Sequence, residues 1–214
     1  FPPLVYQVAS SGMEPSSISF PFRKIFQKRK DFYFRMAEVR AIFPEMNMIQ
    51  TSIGKAEYDY LVFAAGTKTN FFGNEHIEDE AMPMKTVSEA MGLRNALLSN
   101  IERSITCSTD KERQELLNIV IVGGGATGVE IAGVLSEMKR FVLPHDYPDM
   151  PSSLMHIYLI EAGPRLLPGM STESSEKAEQ FLREMGVNIL LNKKVVDYKD
   201  HKVILEDGSE IATR

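Results

Sequence analysis

The sequence predicts an α/β fold: a parallel sheet with helices and a β-hairpin or meander in the second half, and short antiparallel strands in the first. Three observations carry this. Between residues 118 and 192, apolar runs and helix-period segments follow in the order strand, helix, strand, helix, strand, which implies a parallel sheet joined by right-handed crossovers. The first of those strands runs into "IVIVGGGATGVEIAG" at Ile119–Gly133, a glycine-rich turn that opens a helix. In the first half, "DFYFRMAEVRAIFPEMNMIQT" alternates and is rich in aromatic and β-branched residues, the pattern of two or three short antiparallel strands.

Taken in order, residues 1–30 read as irregular, with Pro2, Pro3, Pro15 and Pro21. "ISFPFRKIFQKRK" holds a short helix from about Pro21, with proline at an early position and a basic, solvated end. "YDYLVFAAGT" reads as a compact apolar strand over about Tyr58–Ala65, stopped by Gly66. A long helix follows, because Thr86 and Glu89 have the spacing of a capping box and Ala90, Leu93, Leu97, Ile101 and Ile105 form an apolar stripe. "TCSTDKERQ" reads as an exposed connection, and a domain boundary is expected within residues 75–115. Beyond it, Asn118–Val122 is a strand, Ala126–Val142 a helix, "LPHDYPDMPSS" a polar insertion and "MHIYLIEA" the next strand. Thr172–Met185 is a helix with Ala178, Phe181, Leu182 and Met185 on one face and Gly186 as its stop. "VNILLN" is a strand, and "KVILEDGSEIAT" is a hairpin turning at Asp207-Gly208.

Composition excludes several classes. The 214 residues suffice for one large or two small domains. Hydrophobic residues make up 43% and charged residues 25%, as in a soluble globular protein. The net charge of -5 does not suggest a nucleic-acid surface. No apolar run approaches the roughly 18 residues of a spanning helix, and no secretory signal is visible. The single cysteine, Cys107, excludes an internal disulfide framework, a CxxC pair and a cysteine-rich metal site, and suits a reducing, cytosolic setting. His145, beside Asp146 and Tyr147, has no second histidine at metal-ligand spacing and reads as a loop contact, so no metal site is expected. The 12 methionines read as core filling. Phe1 is not an initiator and the chain stops at "SEIATR", so a piece of a longer protein is expected.

The glycine turn contains G-x-G-x-x-G as Gly123, Gly125 and Gly128, after a strand and before a helix. In such a turn the first glycine allows the sharp bend. The second lets a pyrophosphate approach the backbone, and the third lets helix and strand pack closely. The helix N-terminus then offers free N–H groups and partial positive charge to the phosphates. Glu161, at the end of the next strand, is placed to accept from the adenosine ribose hydroxyls, which favours NAD(H) over NADP(H); Arg165 nearby softens that preference. Glu161 lies 33 residues beyond Gly128, against the usual spacing of about 20, and the "LPHDYPDMPSS" insertion accounts for most of the excess. The second half is thus a Rossmann-like NAD-binding domain.

The stretches "FPPLVYQVASSGMEPSSISFPFR", "GTKTNFFG", "MPMKTVSEAMGLRN" and "VIVGGGATGVEIAG" resemble the type II NADH dehydrogenases, single-subunit NADH:quinone oxidoreductases among the two-dinucleotide-domain flavoproteins. The likeness implies that residues 1–80 are a partial FAD-binding domain, 81–115 a connecting helix and linker, and 116–214 an NADH-binding domain cut short at its end. It implies FAD and NADH as cofactors, hydride transfer from NADH to FAD, and two-electron transfer to a quinone. It also implies that an N-terminal FAD motif and a C-terminal membrane-associating region lie outside this stretch. The whole protein would be membrane-peripheral, at the cytoplasmic face, and compatible with a homodimer. Residue by residue, Gly123, Gly125, Thr127 and Gly128 would meet the pyrophosphate and Glu161 the ribose. Glu130 would stand near nicotinamide and flavin as the catalytic residue, positioning one and handling a proton; otherwise it is a carboxylate favoured by the helix dipole. Val39 would touch the FAD adenine through its backbone, and Ala65, Gly66 and Thr67 would border the flavin. Gln7, with Tyr6, would face the flavin or the quinone channel. The competing readings are a ferredoxin- or rubredoxin-type flavoprotein reductase and a non-catalytic NADH-binding module.

Overall fold

The structure is a computed structural model and describes residues 2–71 and 73–214. Phe1 and Phe72, which belong to two of the quoted stretches, lie outside the described residues. The chain divides into two compact units, Ser19–Thr69 and the combination of Phe1–Ile18 with Asn70–Arg214.

The larger unit opens with a 3-10 turn at Pro2–Leu4, then α1 (Val5–Ala9) and α2 (Pro15–Ile18). The irregular start expected from the prolines is therefore corrected. Pro2 and Pro15 each occupy the first position of a helical turn, where the missing N–H costs nothing. Val5, Val8, Ala9 and Ile18 are buried, so this segment belongs to the core.

In the smaller unit, α3 (Phe22–Ile25) starts after Pro21, as the sequence predicts. Strands β1 (Val39–Phe43), β2 (Met48–Thr51) and β3 (Gly54–Glu57) form an antiparallel sheet in that order; β1 and β2 fall within the stretch expected to hold two or three antiparallel strands, whereas β3 lies beyond it and residues 31–38 form no strand. The strand expected over Tyr58–Ala65 is not formed: residues 58–69 carry no helix or strand. Tyr60, Val62 and Phe63 are 93%, 85% and 72% exposed. A continuous apolar run reads as a strand buried on both faces. No described strand pairs with this one, and without a ladder the run has no strand to be.

The larger unit continues with α4 (Glu75–Glu80), α5 (Val87–Thr106) and α6 (Asp110–Leu117). The expected capping box is complete: Glu89 N–H donates to Thr86 Oγ1 at 3.2 Å, and Thr86 N–H donates to Glu89 Oε2 at 2.7 Å. Along α5, Ala90, Leu97 and Ile101 are buried, whereas Ile105 is exposed and Ser104 takes its place. A stripe at steps of four drifts off the 3.6-residue turn, so the three-residue step wins at the end. The expected exposed connection is largely helical, because Thr109 caps α6 by accepting from Glu112 N–H at 3.2 Å.

Then β4 (Asn118–Val122), α7 (Ala126–Glu137), β5 (His156–Ile160), α9 (Thr172–Glu184) and β6 (Val187–Leu190) give a three-stranded parallel sheet in the order β4-β5-β6. Between α7 and β5, a π-helical turn at Met138–Val142 leads into α8 (Leu143–Asp146). Pro144 cannot donate to the carbonyl four residues back and crowds it, so the helix widens just before the proline. Leu143 and Met150 are buried, which makes part of the expected polar insertion a core element. On α9 Leu182 is buried but Phe181 is 56% exposed, off the expected face. Gly186 (φ +84°) stops the helix by donating to Arg183 O. An antiparallel meander, β7 (Val195–Lys199), β8 (Lys202–Leu205) and β9 (Glu210–Ala212), completes the unit, with the hairpin turning at Gly208 (φ +82°) as predicted.

Alternation along β5 gives the parallel sheet two packed faces. Ile157 and Leu159 join a cluster with Val8, Ala90, Ala132 and Leu135, while Ile160 packs with Val203 and Leu205 of the meander. Among the described residues no helix is long and apolar enough to cross a membrane.

Candidate functional site

The expected nucleotide turn forms at the end of β4. Gly123 has φ +107°, a conformation side chains rarely adopt, and its N–H donates to Ile160 O at 2.8 Å. This bond locks the start of the turn to the end of the neighbouring strand. At Gly128 a Cβ would stand 1.9 Å from Gly123 O, so only glycine lets the helix start this close to the strand. Gly125 is the N-cap of α7, with φ −74°, and nothing lies within 4 Å of where its Cβ would be. It brings no side chain to the first-turn amides. The approach is open, and the amides at the helix start are left to whatever enters it. These features fit a pyrophosphate.

Glu161 directly follows β5 and is half-buried. Its Oε2 accepts from Gly124 N–H and its Oε1 from Gly163 N–H, each at 2.6 Å. One carboxylate thus braces the turn after β4 against the turn after β5. A carboxylate has about four acceptor directions, so two bonds leave room for ribose hydroxyls. Gly124 and Gly163 were not singled out in the sequence; the only signal was a glycine two residues after the acid in "EAGPR". Arg165 is engaged away from this carboxylate, donating to Thr172 Oγ1 and to Pro168 O.

Glu130, one turn into α7, is exposed and lines a recess of about 280 Å³ with Tyr6, Met84, Lys85 and Thr127. The capping box of α5 shapes the far wall, because Glu89 Oε2 also accepts from Lys85 N–H at 2.9 Å. Those amides, Thr86 first, hold the Glu89 carboxyl below its ordinary value of 4.5 despite some burial. Gln7 is not in this recess: its Oε1 lies 2.9 Å from where a Cβ of Gly12 would stand. The structure therefore brings Gly123, Gly125, Thr127, Gly128, Glu130 and Glu161 together at the carboxyl ends of β4 and β5.

Val39, Ala65, Gly66 and Thr67 belong to the smaller unit. Val39 opens β1 and is 50% exposed. Ala65–Thr67 is exposed and irregular, and Gly66 (φ +73°) has nothing within 4 Å of its Cβ position. This backbone is approachable by a flat group, as a flavin requires.

His145 is exposed and stands 2.8 Å from Asp146 Oδ1, and the described residues contain no His, Cys, Asp and Glu group that could hold a metal. Cys107 Sγ donates to Ser104 O.

A type II NADH:quinone oxidoreductase, Ndh, of Mycobacterium tuberculosis is 30% identical over 218 residues, covering 100% of this chain and 47% of that protein. A second from the same organism, NdhA, is 32% identical over 216 residues, covering 98% and 46%. The chain spans about half the length of these curated relatives. The structure of NDH2 from Plasmodium falciparum in complex with NADH shares the fold, with a TM-score of 0.86 at 24% identity over 100% of this chain and 46% of that one. The family model for pyridine nucleotide-disulphide oxidoreductases matches residues 2–214, through the glycine turn and both compact units, and the chain belongs to that family.

Proposed function

We propose that this chain is the NADH-holding part of an NADH:quinone oxidoreductase. The observation that carries the reading is the turn itself: an uncapped helix start with open space at Gly125, fixed by the forced glycine at Gly128, beside a carboxylate at the end of the next strand. Gly123, Gly125, Thr127 and Gly128 hold the pyrophosphate, and Glu161 takes the adenosine ribose. The names of the curated relatives support the same activity.

In this reading residues 1–80 contribute to an FAD-binding domain, 81–115 link, and 116–214 bind NADH. Val39 and Ala65–Thr67 hold part of the FAD, and Gln7 lies on the flavin or quinone side. The FAD that these residues would hold would supply the redox chemistry, hydride acceptance from NADH and two-electron transfer to a quinone. The chain's own residues position and screen. The first-turn amides of α7 neutralise the pyrophosphate, and the apolar side of Met84 shields the recess. Glu130 orients the nicotinamide and holds or releases a proton at its carboxylate as quinone is reduced. The whole protein is membrane-peripheral at the cytoplasmic face and associates as a homodimer.

The test is anaerobic mixing of the full-length protein with NADH, followed by a quinone analogue. Bleaching of the flavin absorbance and its return with the quinone are expected. Return only with an iron–sulfur protein would instead assign a ferredoxin- or rubredoxin-type reductase. Binding of NADH with no bleaching would assign a non-catalytic NADH module.

A further inference from the structure

We propose that Tyr6 is a positioning residue for the nucleotide site, acting through Thr127; this rests on the reading that the glycine turn holds NADH. The Tyr6 hydroxyl lies 3.3 Å from Thr127 Oγ1, across 121 residues of sequence. Thr127 is the second residue of α7, beside the open N-cap at Gly125. Tyr6 sits on α1, whose Val5, Val8 and Ala9 are buried in the same cluster as Ala132 and Leu135 of α7. The phenol is thus mounted on a fixed support, whereas Thr127 is exposed on the surface of its helix.

The direction of the bond follows from the ligand. A threonine hydroxyl carries one proton, and a phosphate oxygen only accepts. With an anion at the turn, Thr127 donates to it and its oxygen is left to accept, so Tyr6 donates. The two hydroxyls then form a chain pointing from the phenol to the phosphate, each bond polarising the next. Without the phenol, the threonine hydroxyl is free to leave this orientation. The N-terminal helix α1 thereby contributes to the pyrophosphate site without touching the nucleotide.

The experiment titrates NADH into the chain, following the fluorescence of NADH itself, since the protein contains no tryptophan. Tyr6→Phe keeps the packed ring and removes only the hydroxyl. It is expected to weaken NADH roughly 3- to 10-fold, the span of one neutral hydrogen bond. Thr127→Val is expected to weaken it at least as much, and the double variant no further than Thr127→Val alone. In competition, Tyr6→Phe weakens ADP by the same factor and leaves adenosine unchanged, which a general loosening of the fold would not do. Wild-type affinity in Tyr6→Phe, a full effect persisting in the Thr127→Val background, or equal weakening of adenosine would each overturn the proposal alone. No saturable NADH binding by the wild type would overturn the NADH reading and this proposal with it.

Discussion

Gly128 and Gly125 share a turn but answer different needs, and single methyl groups separate them. A Cβ at Gly128 collides with the Gly123 carbonyl, so Gly128→Ala must push helix from strand. It is expected to lower stability by about 3 kcal/mol, the upper end for overpacking, read as a lower urea midpoint. At Gly125 the added methyl meets no protein atom. Gly125→Ala is expected to cost at most about 1 kcal/mol, as an alanine N-cap does, yet to weaken NADH at least about tenfold by standing where the phosphates approach. Glu161→Gln leaves one acceptor oxygen for two amide donors. A loss of about 1–3 kcal/mol is expected from the amide left unpaired, again by urea unfolding. The glycine spacing was legible in the sequence because the demands it meets are local. The bracing by Glu161 was not, because Gly124, 37 residues away in sequence, reaches it only after β4 and β5 lie side by side.

The elements that were legible carry their own start and stop signals. The Thr86–Glu89 box fixed the start of α5, and Gly186 fixed the end of α9. The same T-x-x-E spacing stands at Thr109–Glu112 and signals α6, but the polar run around it reads as an exposed connection. The run at Tyr58–Ala65 shows the converse, since apolar composition makes a strand only where partners supply a ladder. Thr86→Ala is expected to cost about 1 kcal/mol through the lost cap, measured as a drop in unfolding midpoint. The box is also pH-dependent. Because the folded-state pKa of Glu89 is lowered, its contribution is present above the ordinary value of 4.5 and is lost as pH falls through the folded value. The stability difference between wild type and Glu89→Gln should therefore be constant near neutrality and vanish on acidification below that window. A difference that grew in acid would contradict the assignment.

At the level of the molecule, the alternation of strand and helix in the second half makes the parallel sheet legible, and its order, β4-β5-β6, is added by the structure. The division into units was less legible. Residues 1–18 pack with 70–214, a long-range contact that no local pattern announces. Leu159 is fully buried on the helix-covered face of β5, in one cluster with Ala132, Leu135 and Leu182, and its Cδ1 lies 3.2 Å from where a Cβ of Gly128 would stand. Leu159→Ala is expected to cost about 2–5 kcal/mol as a cavity, seen in chemical unfolding of the whole chain. The central claim, that the carboxyl end of this parallel sheet holds NADH, is met most directly by titrating NADH into the wild-type chain and the Gly125→Ala variant side by side. Saturable binding is expected in the wild type, weakened about tenfold or more by the single methyl. An absence of saturable binding, or an affinity that the methyl leaves unchanged, would contradict it.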